Sequence, residues 1–205
     1  MVSSEPVDLS RRERRKLEVR NRILEAAVDL FDERGFEATT VAEICERADV
    51  AHKTLFNHFV SKQHLLREIA QDALQQFLVD IEQVRKQPGS TPARLRNLFG
   101  TIADNAERAG PMRRELLSEI IHIAHEAGTE PEQARQLHDA FGAIIREGRS
   151  GGDVSREHSI QTQTELVLGA FYALMFNWAN LESYPLRRQA LAVARLLGDT
   201  LAAPE

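Results

Sequence analysis

The chain has 205 residues, of which 42% are hydrophobic and 28% charged, and its formal net charge is −5. This composition excludes a disordered chain and leaves room for one large core or two modest ones. Cys45 is the only cysteine, which excludes a disulfide framework, and Val41, Ile44 and Ala48 share its helical spacing, which makes it a small core residue. The longest uninterrupted apolar run, residues 166 to 176, falls well short of the roughly 20 residues that span a bilayer. The first six residues have no apolar segment behind their charges, so no secretory leader is expected, and a cytoplasmic location is.

Charge is unevenly spread. Between residues 11 and 22, seven basic side chains (Arg11, Arg12, Arg14, Arg15, Lys16, Arg20 and Arg22) face two acidic ones, Glu13 and Glu18. Screening confines a surface charge to roughly 8–10 Å, so a basic start on an acidic body suits a head that binds a polyanion, joined to a domain with another task.

In chain order, residues 1 to 10 have little apolar content and are expected to form a flexible arm. Ile23, Ala26, Ala27, Leu30 and Phe31 recur on one helical stripe, and Gly35 followed by Phe36 supplies a stop, so a first helix is predicted to end near Arg34. Thr40 and Glu43 have the spacing of a capping box and open a second helix, which Asp49 interrupts after about two turns. Leu55 and Phe59, four apart, give a third short helix an inward face with His52, Lys53, Phe56 and Asn57 on other faces. Ser61 is a natural cap for a fourth helix that carries Leu65, Leu66, Ile69 and Leu74 to about Lys86.

Breaks at Pro88-Gly89, Gly110-Pro111, Gly128 with Pro131, Gly148 to Gly152 and Tyr184-Pro185 divide the remainder into five helical stretches. No useful period-2 alternation occurs, so the expected fold is all-α with about nine helices. The stretch from 166 to 179 is apolar nearly all round and must be covered on more than one side; with a last helix beginning at Pro185, it predicts a four-helix interface in a twofold homodimer.

Residues 39 to 62, TTVAEICERADVAHKTLFNHFVSK, are thus two short helices joined by a tight turn. A helix-turn-helix needs that arrangement: one helix supports, and the other lays its N-terminal residues in the major groove, where base edges are distinguishable by donors and acceptors. The block resembles the DNA-binding domain of the tetracycline-repressor (TetR) family, whose motif reads approximately TTVxxIAxxAGVSxxTLYxHFxxKxxLL. The agreement is ungapped over about residues 20 to 66, with a fainter likeness from Asn177-Trp178 to Tyr184-Pro185-Leu186. Four positions depart from the motif: Asp49 replaces the turn glycine, Ala51 a serine cap, Lys53 a small residue, and Phe56 a tyrosine whose hydroxyl would reach a phosphate.

The resemblance implies a non-enzymatic, cofactor-free transcriptional repressor that binds palindromic double-stranded operator DNA as a homodimer and is released by a small-molecule effector. The alternative is a DNA-binding regulator of the same fold without an inducer. The DNA-binding domain is expected over 11–60 and the ligand-binding and dimerisation domain over 61–205. Thr54, His58 and Lys62 match family positions that touch phosphates, and Thr39 and Phe56 are placed at the same interface; His52, Lys53 and Asn57 are the candidates for base readout.

The family's later helices enclose a cavity, and the candidate lining residues here are Phe77, Leu98, Ile102, Leu117, Ile120 and Ile121. Phe141, Ile145, Phe171 and Met175 join them from farther along, with His122, His125 and His138 as polar points. Such a lining suits a mainly hydrophobic organic effector rather than a sugar or nucleotide. Glu119 and His122 have a spacing that a carboxylate-bridged metal pair uses, but no second such pair accompanies them, so no metal site is expected. No nucleotide-binding loop, catalytic carboxylate pair or nucleophile elbow occurs.

Overall fold

The computed structural model describes residues 10–108 and 132–203. Among them are eight helices: α1 (Arg11–Arg34), α2 (Val41–Arg47), α3 (His52–His58), α4 (Lys62–Lys86), α5 (Thr91–Arg108), α6 (Glu132–Gly151), α7 (Ile160–Asn180) and α8 (Leu186–Leu201). No strand occurs among the described residues; the one β-type contact is an isolated antiparallel bridge between Val154 and Ala202. The all-α expectation therefore holds. The chain divides into two compact units, the first ending at Ile69 and the second beginning at Ala70. The boundary lies within α4 rather than at residue 60, because the start of α4 carries buried Leu65, Leu66 and Ile69 and an ion pair from Glu68 back to Arg20.

In the first unit, each helix boundary has a local cause. The Ser10 hydroxyl accepts from the Glu13 N–H and the Glu13 carboxylate accepts from the Ser10 N–H, so α1 begins with a capping box at the residue expected to end a flexible arm. Its buried stripe is Ile23, Leu24, Ala26, Ala27, Leu30 and Phe31. At its end Gly35, at φ 85°, donates its N–H to the Phe31 carbonyl at 2.8 Å, and the Phe31 and Phe36 rings meet edge to face at 5.2 Å. Thr40 and Glu43 form the expected capping box of α2. Exposed pairs from Arg34 to Glu43 (2.7 Å) and from Arg47 to both oxygens of Glu33 (2.9 Å) tie α2 to α1. Each is worth roughly 0–1 kcal/mol at most in solvent.

The second unit has one core, to which α4 gives Leu74, Ile81 and Val84, α5 Leu95, Leu98 and Phe99, and α6 Leu137, Phe141, Ile144 and Ile145. The most extensive packing is of α5 on α8 and of α6 on α7. The N-terminus of α5 is held from a distance: Asp153, in the loop after α6, accepts from the Thr91 N–H (2.5 Å) and hydroxyl (2.9 Å). Gly148 makes that loop possible, since a methyl there would overlap Thr91 Oγ1 and Val154 Cγ2 and lie 2.8 Å from Asp153 Oδ1.

Candidate functional site

The helix-turn-helix is built on a short turn whose backbone is set by Asp49. This is the one described non-glycine residue with positive φ, at 50°, a conformation that aspartate tolerates and glycine would adopt without cost. The turn is closed by N–H donation from Val50 to the Cys45 carbonyl at 3.0 Å. Cys45 itself is buried, and burial pushes its thiol pKa up, which suits a core role rather than a reactive one. Helix α3 then starts at His52 behind Ala51, which offers no side-chain cap.

With only seven residues, α3 owes its place to packing. Leu55 and Phe59 are fully buried (0% exposed), and α1, α2 and α3 pack on one another. Fixing that edge turns His52, Lys53, Phe56 and Asn57 outward together, with Thr54 and His58 half-buried at the flanks. The Phe56 ring is 48% exposed and lies 6.2 Å from the His52 ring, a costly placement in water for a residue with no polar atom. Six of the eight residues assigned to the interface from sequence are thus gathered on or beside one solvent-facing side of α3.

Thr39 and Lys62 are placed otherwise. Thr39 is 1% exposed and its hydroxyl donates to the carbonyls of Leu30 (3.2 Å) and Gly35 (2.9 Å), so the expectation of a DNA contact from this side chain is corrected to a structural tie across the end of α1. The Lys62 ammonium donates to the carbonyls of Phe36 (2.7 Å) and Thr39 (2.9 Å) and lies 4.1 Å from the Phe36 ring centre. Two of its three donors are therefore engaged within the protein. The cap of α4 is Ser61, as expected, with its hydroxyl accepting from the His64 N–H at 3.0 Å.

Sequence reasoning missed the support behind His58. Arg20 is ion-paired with Glu68, and its guanidinium lies over the Phe59 ring at 5.4 Å. Partial burial, then the positive charges of Lys16 and Arg20, hold the His58 pKa below its ordinary value, so the imidazole stays neutral at neutral pH. The only sequence signal was the i, i+4 register of Lys16 and Arg20; a pairing 48 residues away along the chain had none.

In the second unit, Phe141, Phe171 and Met175 were expected around a cavity. They are buried, and the rings of Phe77, Phe141 and Phe171 touch one another: Phe77 stacks on Phe171 at 5.2 Å, and Phe141 is 5.7 Å from Phe171. Leu98 and Ile145 are likewise core, Ile102 is partly buried against it, and His138 is half-buried. Leu117, Ile120, Ile121, His122 and His125, with Glu119, lie outside the described residues. Among the described residues, no group of three His, Cys, Asp or Glu side chains is placed to hold a metal ion, and no helix is long and apolar enough to cross a membrane.

The family model "Bacterial regulatory proteins, tetR family" matches residues 23–69, the segment that carries α1 to the start of α4. The transcriptional repressor KstR of Mycobacterium tuberculosis is 28% identical over 207 aligned residues, covering 97% of this chain and 87% of that protein. Among solved structures, a TetR-family regulator from Pectobacterium atrosepticum superposes with a TM-score of 0.78 at 20% identity, covering 96% of this chain and 99% of the other. FadR of Bacillus subtilis, solved in complex with stearoyl-CoA, gives 0.69 at 19% identity, covering 88% and 98%. The turn, the outward face of α3 and the matched block coincide: over residues 23–69 the chain is similar to the bacterial regulatory proteins of the tetR family, and its fold is that of the solved TetR-family regulators.

Proposed function

We propose that the chain is a ligand-responsive repressor that binds a twofold-symmetric operator as a cytoplasmic homodimer. The observation that carries this is the mounting of α3: its buried edge is immobilised by Leu55 and Phe59 while His52, Lys53, Phe56 and Asn57 face solvent together. Lys53 and Asn57 supply the donors and acceptor that base edges discriminate, and Phe56 supplies an apolar contact of the kind a thymine methyl accepts. Thr54, His58 and the remaining Lys62 donor serve phosphate.

The second half of the proposal rests on the exposed apolar side of α7 and α8. Leu166, Gly169, Ala173 and Phe176 lie along one exposed stripe of α7, and Leu196, 64% exposed, stands out on α8. Apolar side chains at that density on two long helices suit a second copy of the chain, which would space two recognition helices along one face of the duplex.

The effector is proposed to be a mainly hydrophobic acyl compound, as in the stearoyl-CoA complex of the Bacillus FadR, reaching the aromatic cluster of the second unit. Phe77, Phe141 and Phe171 touch one another, so an acyl chain that reaches this cluster parts these rings; the alternative reading is a DNA-binding regulator of the same fold without an inducer. The test is selection of a duplex from a random library by the full-length protein, followed by titration of the complex with fatty acyl-CoAs of increasing chain length. A palindromic site released by a long-chain member supports the proposal. Equal binding to random duplex refutes DNA readout, and a complex that no acyl chain releases refutes the effector class.

A further inference from the structure

Core packing does not account for the start of α1. Residues 11 to 18 are all exposed, yet they extend the helix more than two turns ahead of its first buried residue, Ile23. Five of the first six are basic, and Glu13, the exception, turns its carboxylate onto the Ser10 N–H of the cap.

The register of this charge is specific. Arg12, Lys16 and Arg20 are spaced i, i+4, i+8 and continue the same side of the helix that farther on buries Ile23, Ala27 and Leu30. Toward Ile23, Ala27 and Leu30 that side is buried and apolar; Arg20 on it is half-buried, and at Lys16 and Arg12 it is exposed among the described residues and cationic. Arg11, Arg14, Arg15 and Arg22 share a different side with Glu18 and Glu25, which dilute their charge.

The direction of the cationic side is given by its inner end. Arg20 is pinned by Glu68 and by the Phe59 ring immediately after α3, and one turn outward Lys16 acts electrostatically on His58, the last residue of α3. Arg12 lies one turn farther, about 12 Å along the axis from Arg20. The strip is therefore continuous with the flank of the recognition helix.

We propose that Arg12 and Lys16 form a second duplex-binding surface, a cationic strip that grips the phosphodiester backbone beside the segment entered by α3. This rests on the DNA-binding reading above. The occupant is a duplex backbone because the strip abuts the helix that enters the groove and carries guanidinium and ammonium groups without aromatic or amide partners for base edges, which suits positioning and affinity rather than sequence readout.

The experiment compares full-length wild type with Arg12→Gln/Lys16→Gln, with Arg11→Gln/Arg22→Gln as an equal loss of charge on the other side, and with Arg12→Lys/Lys16→Arg. Each is titrated with the selected operator and with random-sequence duplex across a salt series, and far-UV circular dichroism checks the helix content. At about 0.9 in slope per phosphate contact, a dimer lacking four contacts should show a log-affinity against log-salt slope shallower by about 2 to 4, and affinity at least about 10-fold weaker for both duplexes. The charge-preserving variant should keep the wild-type slope. An unchanged slope in Arg12→Gln/Lys16→Gln, or an equal loss in Arg11→Gln/Arg22→Gln, overturns the strip while leaving the DNA-binding reading intact. Loss confined to the operator would make these residues base readers and also overturn it. Wild type that binds neither duplex sinks the reading on which the strip depends.

Discussion

Replacing Lys62 by methionine separates its structural role from its role toward DNA. The change keeps the aliphatic stem over the Phe36 ring and removes the ammonium, leaving the carbonyls of Phe36 and Thr39 without the donors now at 2.7 and 2.9 Å. Hydrogen bonds to a charged group contribute about 1.5–3 kcal/mol each and the contact with the ring about 0.5–1 kcal/mol. Lys62 is only half-buried, so water replaces part of what is lost, and the expected cost is about 2–3 kcal/mol. At about 1.4 kcal/mol per decade, amides that open with this turn should exchange about 30- to 150-fold faster. The reporters are the N–H groups of Gly35, bonded to Phe31, and Thr39, bonded to Phe36, with amides in the middle of α5 as the unperturbed control. DNA affinity should fall in parallel, because the start of α4, directly after α3, is no longer tied to the carbonyls of Phe36 and Thr39. Exchange at Gly35 and Thr39 unchanged while the salt dependence of binding becomes shallower would refute the reasoning and leave Lys62 as a phosphate contact alone.

Four further outcomes follow from the same geometry. Ala51→Ser restores an acceptor at the uncapped start of α3 and should raise stability by about 1 kcal/mol in urea denaturation. Gly148→Ala forces its methyl into Thr91, Val154 and Asp153 and should cost about 2–4 kcal/mol, read as a lower urea midpoint from the fluorescence of the buried Trp178. The depressed pKa of His58 means that its contribution to stability is present above the unfolded value near 6.5 and is lost as pH falls through the lower folded value. A phosphate beside His58 would reverse that depression, so operator affinity should rise from about pH 8 to about pH 6 by more in wild type than in His58→Gln, and identical pH profiles would remove His58 from the interface. Phe176→Arg places a charge on the exposed apolar stripe of α7 and should yield a folded monomer in sedimentation, whereas truncation before α8 would strip the core of Leu186, Ala190, Ala194 and Leu197 and report on folding instead.

Much of the DNA-binding unit was decided by chemistry within four residues along the chain. Thr40 with Glu43, Gly35 with Phe36, and Ser61 each announce a helix end through a side chain or a conformation that acts on its own neighbourhood, and all three act as the local pattern dictates. Ser10 with Glu13 carries the same pattern and was legible in the same way, although the low apolar content before it pointed to a flexible arm. The outward face of α3 also follows from sequence, because burying Leu55 leaves a seven-residue helix little freedom in where its other side chains point.

What only the tertiary structure decided are the contacts that local periodicity does not encode. Lys62 finds carbonyls 26 and 23 residues upstream, Arg20 finds Glu68 48 residues on, and Asp153 caps an amide 62 residues before it. Nothing in the spacing of a lone lysine or aspartate distinguishes a side chain aimed at a ligand from one aimed at the protein's own backbone. The same holds for Phe77, Phe141 and Phe171: helical spacing put them on inward faces, but whether inward rings meet depends on how three separate helices approach, and among the described residues these three rings meet.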